Sequence, residues 1–288
     1  MSLVNVILLA IVQGLAELLP VSSSAHVVIA ERLLGLDPSS PPMTMLLVML
    51  HTGTMFAVIV YFWRQWRNTY FQSAKNFRPF AARLIIATVL TGVVGELIIR
   101  LIEGTVLRGV PHAEIEDLFS HLEFIAPALA VAGVLIVSAG IFKRRSAMNG
   151  VNQNSLTLKR ASLIGMVQGL CLPFRGFSRS GATISTGMLL GVTKSDAETF
   201  SFALAVVITP PVVAREILRL VHSTHVNGSG NLASVAILSL FGAVVAFFAG
   251  LVALRWLSRW LATGRWYLFG IYCFIASTVV YFMYRSGY

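Results

Sequence analysis

Long apolar stretches constrain this chain more than any other feature of its sequence. A helix needs about 20 apolar residues to cross the hydrocarbon core of a bilayer, and six stretches reach that length. Only 12% of the residues are charged, about half the share that is usual in soluble domains. This composition excludes a disordered chain and argues against an ordinary soluble enzyme. We predict an all-α integral membrane protein with spans at residues 43–63, 80–101, 124–142, 200–220, 232–254 and 266–284.

The basic residues predict how the chain is oriented in the membrane. There are 22 Lys and Arg against 12 Asp and Glu. They lie mostly between apolar stretches, so we expect them to set orientation rather than to bind nucleic acid. Connections rich in Lys and Arg stay cytoplasmic, which places the connections after the first, third and fifth spans inside and the C-terminus outside. These connections contain Arg64, Arg67, Lys75, Arg78 and Arg83, then Lys143, Arg144, Arg145, Lys159 and Arg160, then Arg255, Arg259 and Arg265. The connection after the second span contains Glu103, Arg108, Glu114, Glu116, Asp117 and Glu123.

Two further apolar stretches, at residues 1–36 and 160–194, contain too many polar residues and prolines to cross lipid as one helix. Non-helical backbone at membrane depth is tolerated only against protein or a water-filled cavity. We therefore predict two re-entrant hairpins, each made of a short helix, a turn and a second short helix. The first is not expected to be a signal peptide, because no basic segment precedes it and Gln13 and Glu17 interrupt its apolar run.

The two predicted hairpins share a short sequence. The segment IVQGL at residues 11–15 recurs as MVQGL at 166–170, and a proline and a serine-rich turn follow each copy. Three predicted spans follow each hairpin, and an odd number of spans makes the second copy enter from the opposite side. We predict one membrane domain built as an inverted-topology repeat, with halves at 1–145 and 146–288, whose broken helices meet at the functional site.

The first hairpin contains residues that suggest metal binding and catalysis. Gln13 and Glu17 are one helical turn apart, and their oxygens could hold Mg²⁺ or Ca²⁺; the alternative is that Glu17 caps a helix. A serine three residues before His26 could be a nucleophile with an adjacent base, although serine-rich turns also cap helices. Ser22 and Ser23 are the serines of this turn that we expect to act on the substrate.

The second hairpin suggests phosphate binding. Its turn, GFSRSGAT at residues 176–183, combines an arginine with serines and glycines at the predicted start of a helix. Exposed backbone amides and a guanidinium suit phosphate; the alternative is that Arg179 extends to the lipid headgroups. Ser178, Ser180 and Thr183 are expected to assist Arg179. His51, in the small-residue run of the first span, could line the same cavity or be hydrogen-bonded within the bundle.

The two hairpins together suit hydrolysis of a phosphoric ester or anhydride whose apolar part lies in lipid. They combine a metal-binding carboxylate, a hydroxyl beside an imidazole and a phosphate-binding arginine. The two stretches QGLAELLPVSSSAH at 13–26 and GFSRSGAT at 176–183 resemble those of undecaprenyl-diphosphate phosphatases of the bacitracin-resistance type. The resemblance extends over nearly the whole chain. It implies an enzyme of the bacterial inner membrane that converts undecaprenyl diphosphate to undecaprenyl phosphate, so that the lipid carrier is recycled for peptidoglycan and cell-wall synthesis and the cell tolerates bacitracin.

The resemblance also implies a divalent cation and an active site open to the periplasm. It assigns the acidic motif to Gln13 and Glu17, the serine and histidine to Ser23 and His26, and the phosphate-binding arginine to Arg179. Two departures stand out: Gln13 replaces a glutamate that many members carry, and Arg175 replaces a proline. Either Ser23, assisted by His26, or His26 itself could attack the phosphorus. The sequence leaves open whether the protein forms a homodimer, and the rival function is an inverted-repeat transporter.

Overall fold

The computed structural model describes residues 2–37, 40–105, 122–148, 155–227 and 232–286. Within these ranges the regular structure consists of ten α-helices. In chain order they are α1 (Leu3–Leu18), α2 (Ser23–Leu33), α3 (Pro41–Thr69), α4 (Ala74–Thr105), α5 (Leu122–Met148), α6 (Leu158–Cys171), α7 (Arg179–Leu189), α8 (Lys194–Asn227), α9 (Leu232–Ala262) and α10 (Tyr267–Arg285).

Six of these helices are long and apolar enough to cross a membrane. Lipid offers no partner to a backbone N–H or C=O group, and a helix satisfies these groups within the segment. The spans cover Pro41–Thr69, Ala74–Thr105, Leu122–Lys143, Lys194–Leu218, Val235–Ala262 and Tyr267–Arg285. All six predicted spans are confirmed, and the chain is an all-α, multi-pass membrane protein.

The two stretches that could not be simple spans each form a pair of short helices. The pair α1 and α2 has 16 and 11 residues, and the pair α6 and α7 has 14 and 11. Ser2 caps α1 and Thr157 caps α6, each by accepting a hydrogen bond from the backbone N–H three residues later. The helix–turn–helix form of both hairpins is confirmed. The opposite orientation of the two halves and their boundary at residue 145 remain predictions.

The chain packs as two compact units. One comprises Met1–Leu19, Ser23–Arg64 and Ala205–Leu257, and the other comprises Pro20–Ser22, Gln65–Leu204 and Ser258–Tyr288. Each unit therefore takes segments from both predicted halves of the repeat.

In the first unit, small residues bring α9 close to α1 and α3. A Cβ atom added to Gly14 would come within 2.7 Å of the Ala246 carbonyl oxygen, and one added to Gly53 within 2.1 Å of the Ala243 carbonyl oxygen. Both glycines allow backbones to approach as closely as membrane helices do at small-residue contacts. The apolar core beside this contact consists of Val6, Leu9, Ala10, Val27, Met43, Leu46, Leu50 and Ala246.

In the second unit, α4 packs against α6 through small residues and one hydroxyl group. A Cβ atom added to Gly165 would come within 2.3 Å of the Ala87 carbonyl oxygen. The Thr91 hydroxyl lies 2.8 Å from both the Ala87 and the Gly165 carbonyl oxygens, and it accepts the Gln168 amide N–H at 3.4 Å. These contacts fix the first helix of the second hairpin against a membrane span.

Some of the charges used to predict the orientation lie outside the described residues. They are Arg108, Glu114, Glu116 and Asp117, together with the side chains of Arg144 and Arg145. The orientation of the chain in the membrane therefore remains a prediction.

Candidate functional site

The polar residues of the first hairpin converge on the carboxylate of Glu17. Glu17 lies in the last turn of α1, and Ser23 is the first residue of α2. The Ser23 hydroxyl donates a hydrogen bond to Glu17 Oε2 at 2.5 Å, and the Gln13 amide N–H donates to the same oxygen at 3.1 Å. The structure therefore brings together Gln13 and Glu17, as expected from their spacing, and adds Ser23, which was expected beside His26.

A fourth side chain, that of His51 on α3, faces the same oxygen. His51 Nε2 lies 3.7 Å from Glu17 Oε2, and His51 Nδ1 lies 2.8 Å from the Leu47 carbonyl oxygen. The His51 side chain is 44% exposed and that of Glu17 is 13% exposed, so the carboxylate is largely shielded from solvent while the imidazole is accessible. The alternative in which His51 is hydrogen-bonded within the bundle is observed, and lining of a shared cavity by His51 remains a prediction.

The turn that joins α1 to α2 has an unusual backbone conformation at Ser22. Its φ angle is +68°, in the left-handed region that non-glycine residues seldom adopt, and its side chain is buried. Backbone strain of this kind persists where the surrounding structure enforces it, often at a functional site. In this hairpin the turn brings the first residue of α2 back to the end of α1, which allows Ser23 to reach Glu17.

Two predicted roles in this hairpin differ in detail from the observed contacts. Gln13 was expected to offer its amide oxygen to a cation, whereas its amide nitrogen faces Glu17. His26 was expected to assist Ser23, and the hydrogen bond that the Ser23 hydroxyl donates goes to Glu17. His26 is half-buried on α2, three residues after Ser23. Metal binding by Gln13 and catalysis by His26 remain predictions.

The second hairpin places Arg179 at the start of a helix, as predicted. Arg179 is the first residue of α7, and the hydroxyl oxygen of the preceding Ser178 accepts the Gly181 N–H at 3.2 Å. Arg179 therefore lies at the end of the helix where the helix dipole favours an anion. This cluster belongs to the second compact unit, whereas Glu17 belongs to the first.

The serines and the threonine near Arg179 are buried and mostly bonded within the unit. Thr183 is fully buried; its hydroxyl donates to the Arg179 carbonyl oxygen at 2.8 Å and lies 2.6 Å from the Ser201 hydroxyl on α8. Ser178 and Ser180 are also buried. Thr183 therefore fixes the first turn of α7 against α8, and direct binding of phosphate by Ser178, Ser180 and Thr183 remains a prediction.

The described residues contain no group of three or more His, Cys, Asp or Glu side chains that could hold a metal ion. A structural zinc site is therefore not supported within these ranges, because such sites take four protein ligands. Mg²⁺ is usually bound by only one or two carboxylates together with substrate phosphates and waters. The single carboxylate of Glu17 falls within this range, and a divalent cation at Glu17 remains a prediction.

The fold and these residues define a class of protein. It is a multi-pass membrane protein with two helical hairpins, one of which carries a carboxylate with a bound hydroxyl and the other an arginine at a helix N-terminus. A family model described as bacitracin resistance protein BacA matches residues 6–279. The chain belongs to this family.

Three curated relatives match the chain over nearly its whole length. It is 55% identical to undecaprenyl-diphosphatase 2 of Acinetobacter baylyi over 283 residues, which is 97% of each chain. It is 32% identical to an undecaprenyl-diphosphatase of Rhodopirellula baltica over 280 residues, 96% of each chain. It is 33% identical to an undecaprenyl-diphosphatase of Desulfosudis oleivorans over 276 residues, 95% of each chain.

Proposed function

We propose that the chain is an undecaprenyl-diphosphatase, which hydrolyses undecaprenyl diphosphate to undecaprenyl phosphate and inorganic phosphate. The observation that carries this function is the 55% identity to a relative with that name across 97% of both chains. The membrane-spanning fold supports it, because the undecaprenyl tail of the substrate lies in the bilayer. The product is the lipid carrier needed again for peptidoglycan synthesis, and its recovery confers tolerance to bacitracin.

The geometry of the first hairpin supports Ser23 as the nucleophile and Glu17 as its base. Ser23 Oγ attacks the terminal phosphorus and forms a P–O bond, its proton passes to Glu17 Oε2, and the bond to the undecaprenyl phosphate leaving group breaks. Water then hydrolyses the phosphoserine and releases inorganic phosphate. The 2.5 Å hydrogen bond between the two side chains is the arrangement of a nucleophile and an adjacent base.

Binding of the diphosphate needs positive charge. Arg179 supplies a planar fork of donors that matches phosphate oxygens, and the dipole of α7, which begins at Arg179, adds to the attraction. A divalent cation, Mg²⁺ or Ca²⁺, would be held near Glu17 and, when bound, would neutralise charge on the diphosphate. Phosphoryl transfer depends mainly on positioning and charge stabilisation, so Arg179 is expected to matter as much as the nucleophile.

We also place the enzyme in the bacterial inner membrane with its active site accessible from the periplasm. The predicted orientation supports this, because the basic connections lie on the cytoplasmic side and the first hairpin begins on the other side. The three relatives described above all carry the phosphatase name, which supports hydrolysis rather than transport.

Release of inorganic phosphate by the purified protein in detergent, given undecaprenyl diphosphate and Mg²⁺, tests this function. We expect Glu17→Gln and Ser23→Ala to lower kcat by about 100-fold or more, because a positioned base contributes about that much. Arg179→Ala should raise KM and lower kcat. The matched control is Glu96→Gln, which removes an exposed carboxylate that bonds to Arg100 in an i, i+4 pair, and it should leave the rate unchanged.

Three results would contradict the proposal or a part of it. A wild-type protein that moves the lipid between leaflets but releases no phosphate is a transporter. Recovery of a phosphorylated His26 from a quenched reaction, with Ser23→Ala still active, would make the histidine the nucleophile. If Ser23→Ala, His26→Ala and Glu17→Gln all keep the wild-type rate, the first hairpin is not the catalytic site.

A further inference from the structure

A membrane span supplies a hydrogen-bond donor to the turn of the first hairpin. Pro20 lies in this turn, between the end of α1 at Leu18 and the start of α2 at Ser23, and it is buried. Backbone outside a helix must find partners in protein or water at membrane depth. The Cys273 thiol on α10, itself fully buried, donates a hydrogen bond to the Pro20 carbonyl oxygen at 3.4 Å.

This carbonyl is close in sequence to the proposed nucleophile. Val21 and Ser22 are the two residues that separate Pro20 from Ser23, and both are buried. The φ angle of Ser22 is +68°, and strain of this kind persists where the surrounding structure enforces it. With so few dihedral angles in between, a shift of the Pro20 carbonyl is passed on to Ser23 and changes where its hydroxyl lies.

The helix that carries Cys273 is closely packed against α5. A Cβ atom added to Gly270, one turn before Cys273, would come within 2.7 Å of the Gly133 carbonyl oxygen. One added to Gly133 would come within 3.0 Å of the Gly270 carbonyl oxygen. The backbones of α5 and α10 therefore approach each other as membrane helices do at small residues, and this contact fixes the position of Cys273 relative to α5.

The turn of the second hairpin contacts the same helix, α5. A Cβ atom added to Gly176 would come within 2.7 Å of the Ile125 carbonyl oxygen and 3.1 Å of the Ala128 Cβ atom. Gly176 precedes Arg179 by three residues. Residues Pro20–Ser22 belong to the same compact unit as α5, α10 and Arg179. The pair of helices α5 and α10 therefore contacts the turns of both hairpins.

We propose that Cys273 is a positioning residue for the reaction. Through Pro20, its thiol holds the turn that leads to Ser23 on the pair of helices that also contacts the turn leading to Arg179. This inference rests on the proposed function, in which Ser23 attacks the terminal phosphorus and Arg179 binds the diphosphate. The thiol takes no part in the chemistry. Its effect on the rate arises because a displacement of about 1 Å at the reacting atoms can cost about 100-fold.

The dependence of phosphate release on undecaprenyl diphosphate concentration tests this role. Cys273→Ala removes the donor, and we expect kcat to fall about 10-fold or more while KM changes less than about 3-fold, because Arg179 is unaltered. Cys273→Ser keeps a hydrogen-bond donor and should keep kcat within about 3-fold of the wild type. Rescue by serine separates positioning from packing, because serine fills no more of the space left by the sulfur than a small side chain does.

The matched control is Ser277→Ala on the same helix. The Ser277 hydroxyl donates to the Ala126 carbonyl oxygen on α5 at 2.6 Å, so this variant also loses a hydrogen bond between α10 and another segment but leaves the turn untouched. It should lower the unfolding temperature in detergent without lowering kcat. If Cys273→Ala does not fold, Cys273→Val, which also lacks a donor, takes its place in every comparison.

Amide hydrogen exchange of the purified protein without substrate tests the anchoring of the turn by itself. Exchange in a peptide covering residues 19–24 should be about 3-fold or more faster in Cys273→Ala than in the wild type, and unchanged in Ser277→Ala. Equal exchange in Cys273→Ala and the wild type overturns the inference, as does an unchanged kcat in Cys273→Ala or an equal kcat in Cys273→Ala and Cys273→Ser. Failure of the proposed function is distinct, because it appears as no phosphate release by the wild type, whatever the exchange of the turn.

Discussion

At the scale of single residues, the first hairpin concentrates its polar groups on one oxygen. Glu17 Oε2 accepts hydrogen bonds from Ser23 and Gln13 and faces His51 Nε2. A largely buried carboxylate is costly unless donors or a cation compensate for lost hydration, and two donors do so here. The same arrangement brings a hydroxyl to the carboxylate, so the groups that stabilise Glu17 are also those of the proposed catalytic step.

A substitution at Gly176 tests whether the turn of the second hairpin requires glycine. Its φ angle is +103°, and an added Cβ atom would come within 2.7 Å of the Ile125 carbonyl oxygen on α5. We expect Gly176→Ala to destabilise the protein by about 1–3 kcal/mol, because it combines strained backbone with steric overlap. Thermal unfolding in detergent measures this loss.

The control for this prediction is Gly92→Ala in the middle of α4, where an added Cβ atom meets nothing within 4 Å. Alanine is a better helix former than glycine by about 1 kcal/mol, so this variant should be at least as stable as the wild type. Equal unfolding temperatures for Gly176→Ala and Gly92→Ala would show that the turn does not require glycine.

Local spacing in the sequence predicted some of these residues and could not predict others. Glu17 is an ionisable residue in an apolar stretch, which alone suggests a function, and Gln13 precedes it by one helical turn. His51 is separated from Ser23 by the rest of α2 and by the start of α3. Its position opposite Glu17 depends on how α3 packs, which no local pattern contains; the one available signal was a histidine within a predicted span.

At the scale of helices, close packing in the second unit depends on small residues and on a shared hydroxyl. The Thr91 hydroxyl on α4 has one proton and lies 2.8 Å from carbonyl oxygens on both α4 and α6. It also accepts the amide N–H of the buried Gln168. One side chain therefore links a membrane span to the first helix of the hairpin that positions Arg179.

Thr91→Val tests this link while keeping the side-chain volume similar. We expect a loss of about 1–3 kcal/mol in stability, because the Gln168 amide would lose its acceptor inside the protein. Thr278→Val on α10 is the control, since the exposed Thr278 hydroxyl bonds to the Phe274 carbonyl of its own helix. Thermal unfolding of both variants in detergent gives the comparison, and an equal effect of the two substitutions would contradict a role of Thr91 between helices.

The helices were predictable because lipid restricts the chain so strongly. Six apolar stretches of sufficient length could only be spans, and the polar interruptions in the two hairpins required turns. The ends of the helices were less predictable than their positions. A helix can extend beyond its apolar stretch into polar residues when a capping side chain stabilises its first turn. The predicted start of the fourth span at residue 200 is an example: α8 begins at Lys194, where the Thr193 hydroxyl accepts the Asp196 N–H at 3.0 Å.

At the scale of the whole molecule, the order of helices repeats among the described residues. Within them, two short helices and three long ones occur twice, and α1 and α6 begin 155 residues apart, at Leu3 and Leu158. The repeated order supports duplication of an ancestral half. Because three spans separate the hairpins, the two copies are predicted to enter the membrane from opposite sides, in agreement with the distribution of Lys and Arg.

Labelling of single cysteines from each side of the membrane tests this orientation. Cys171 and Cys273 are buried, so an impermeant maleimide should react with the native protein only slowly. We expect Ser2→Cys, before α1, to be labelled from the periplasmic side and Ser155→Cys, before α6, from the cytoplasmic side, since both positions are exposed. Ser73→Cys and Ser286→Cys serve as references that should react from the cytoplasmic and the periplasmic side respectively. Labelling of Ser2→Cys and Ser155→Cys from the same side would rule out the inverted repeat, because an odd number of spans cannot then separate the two hairpins.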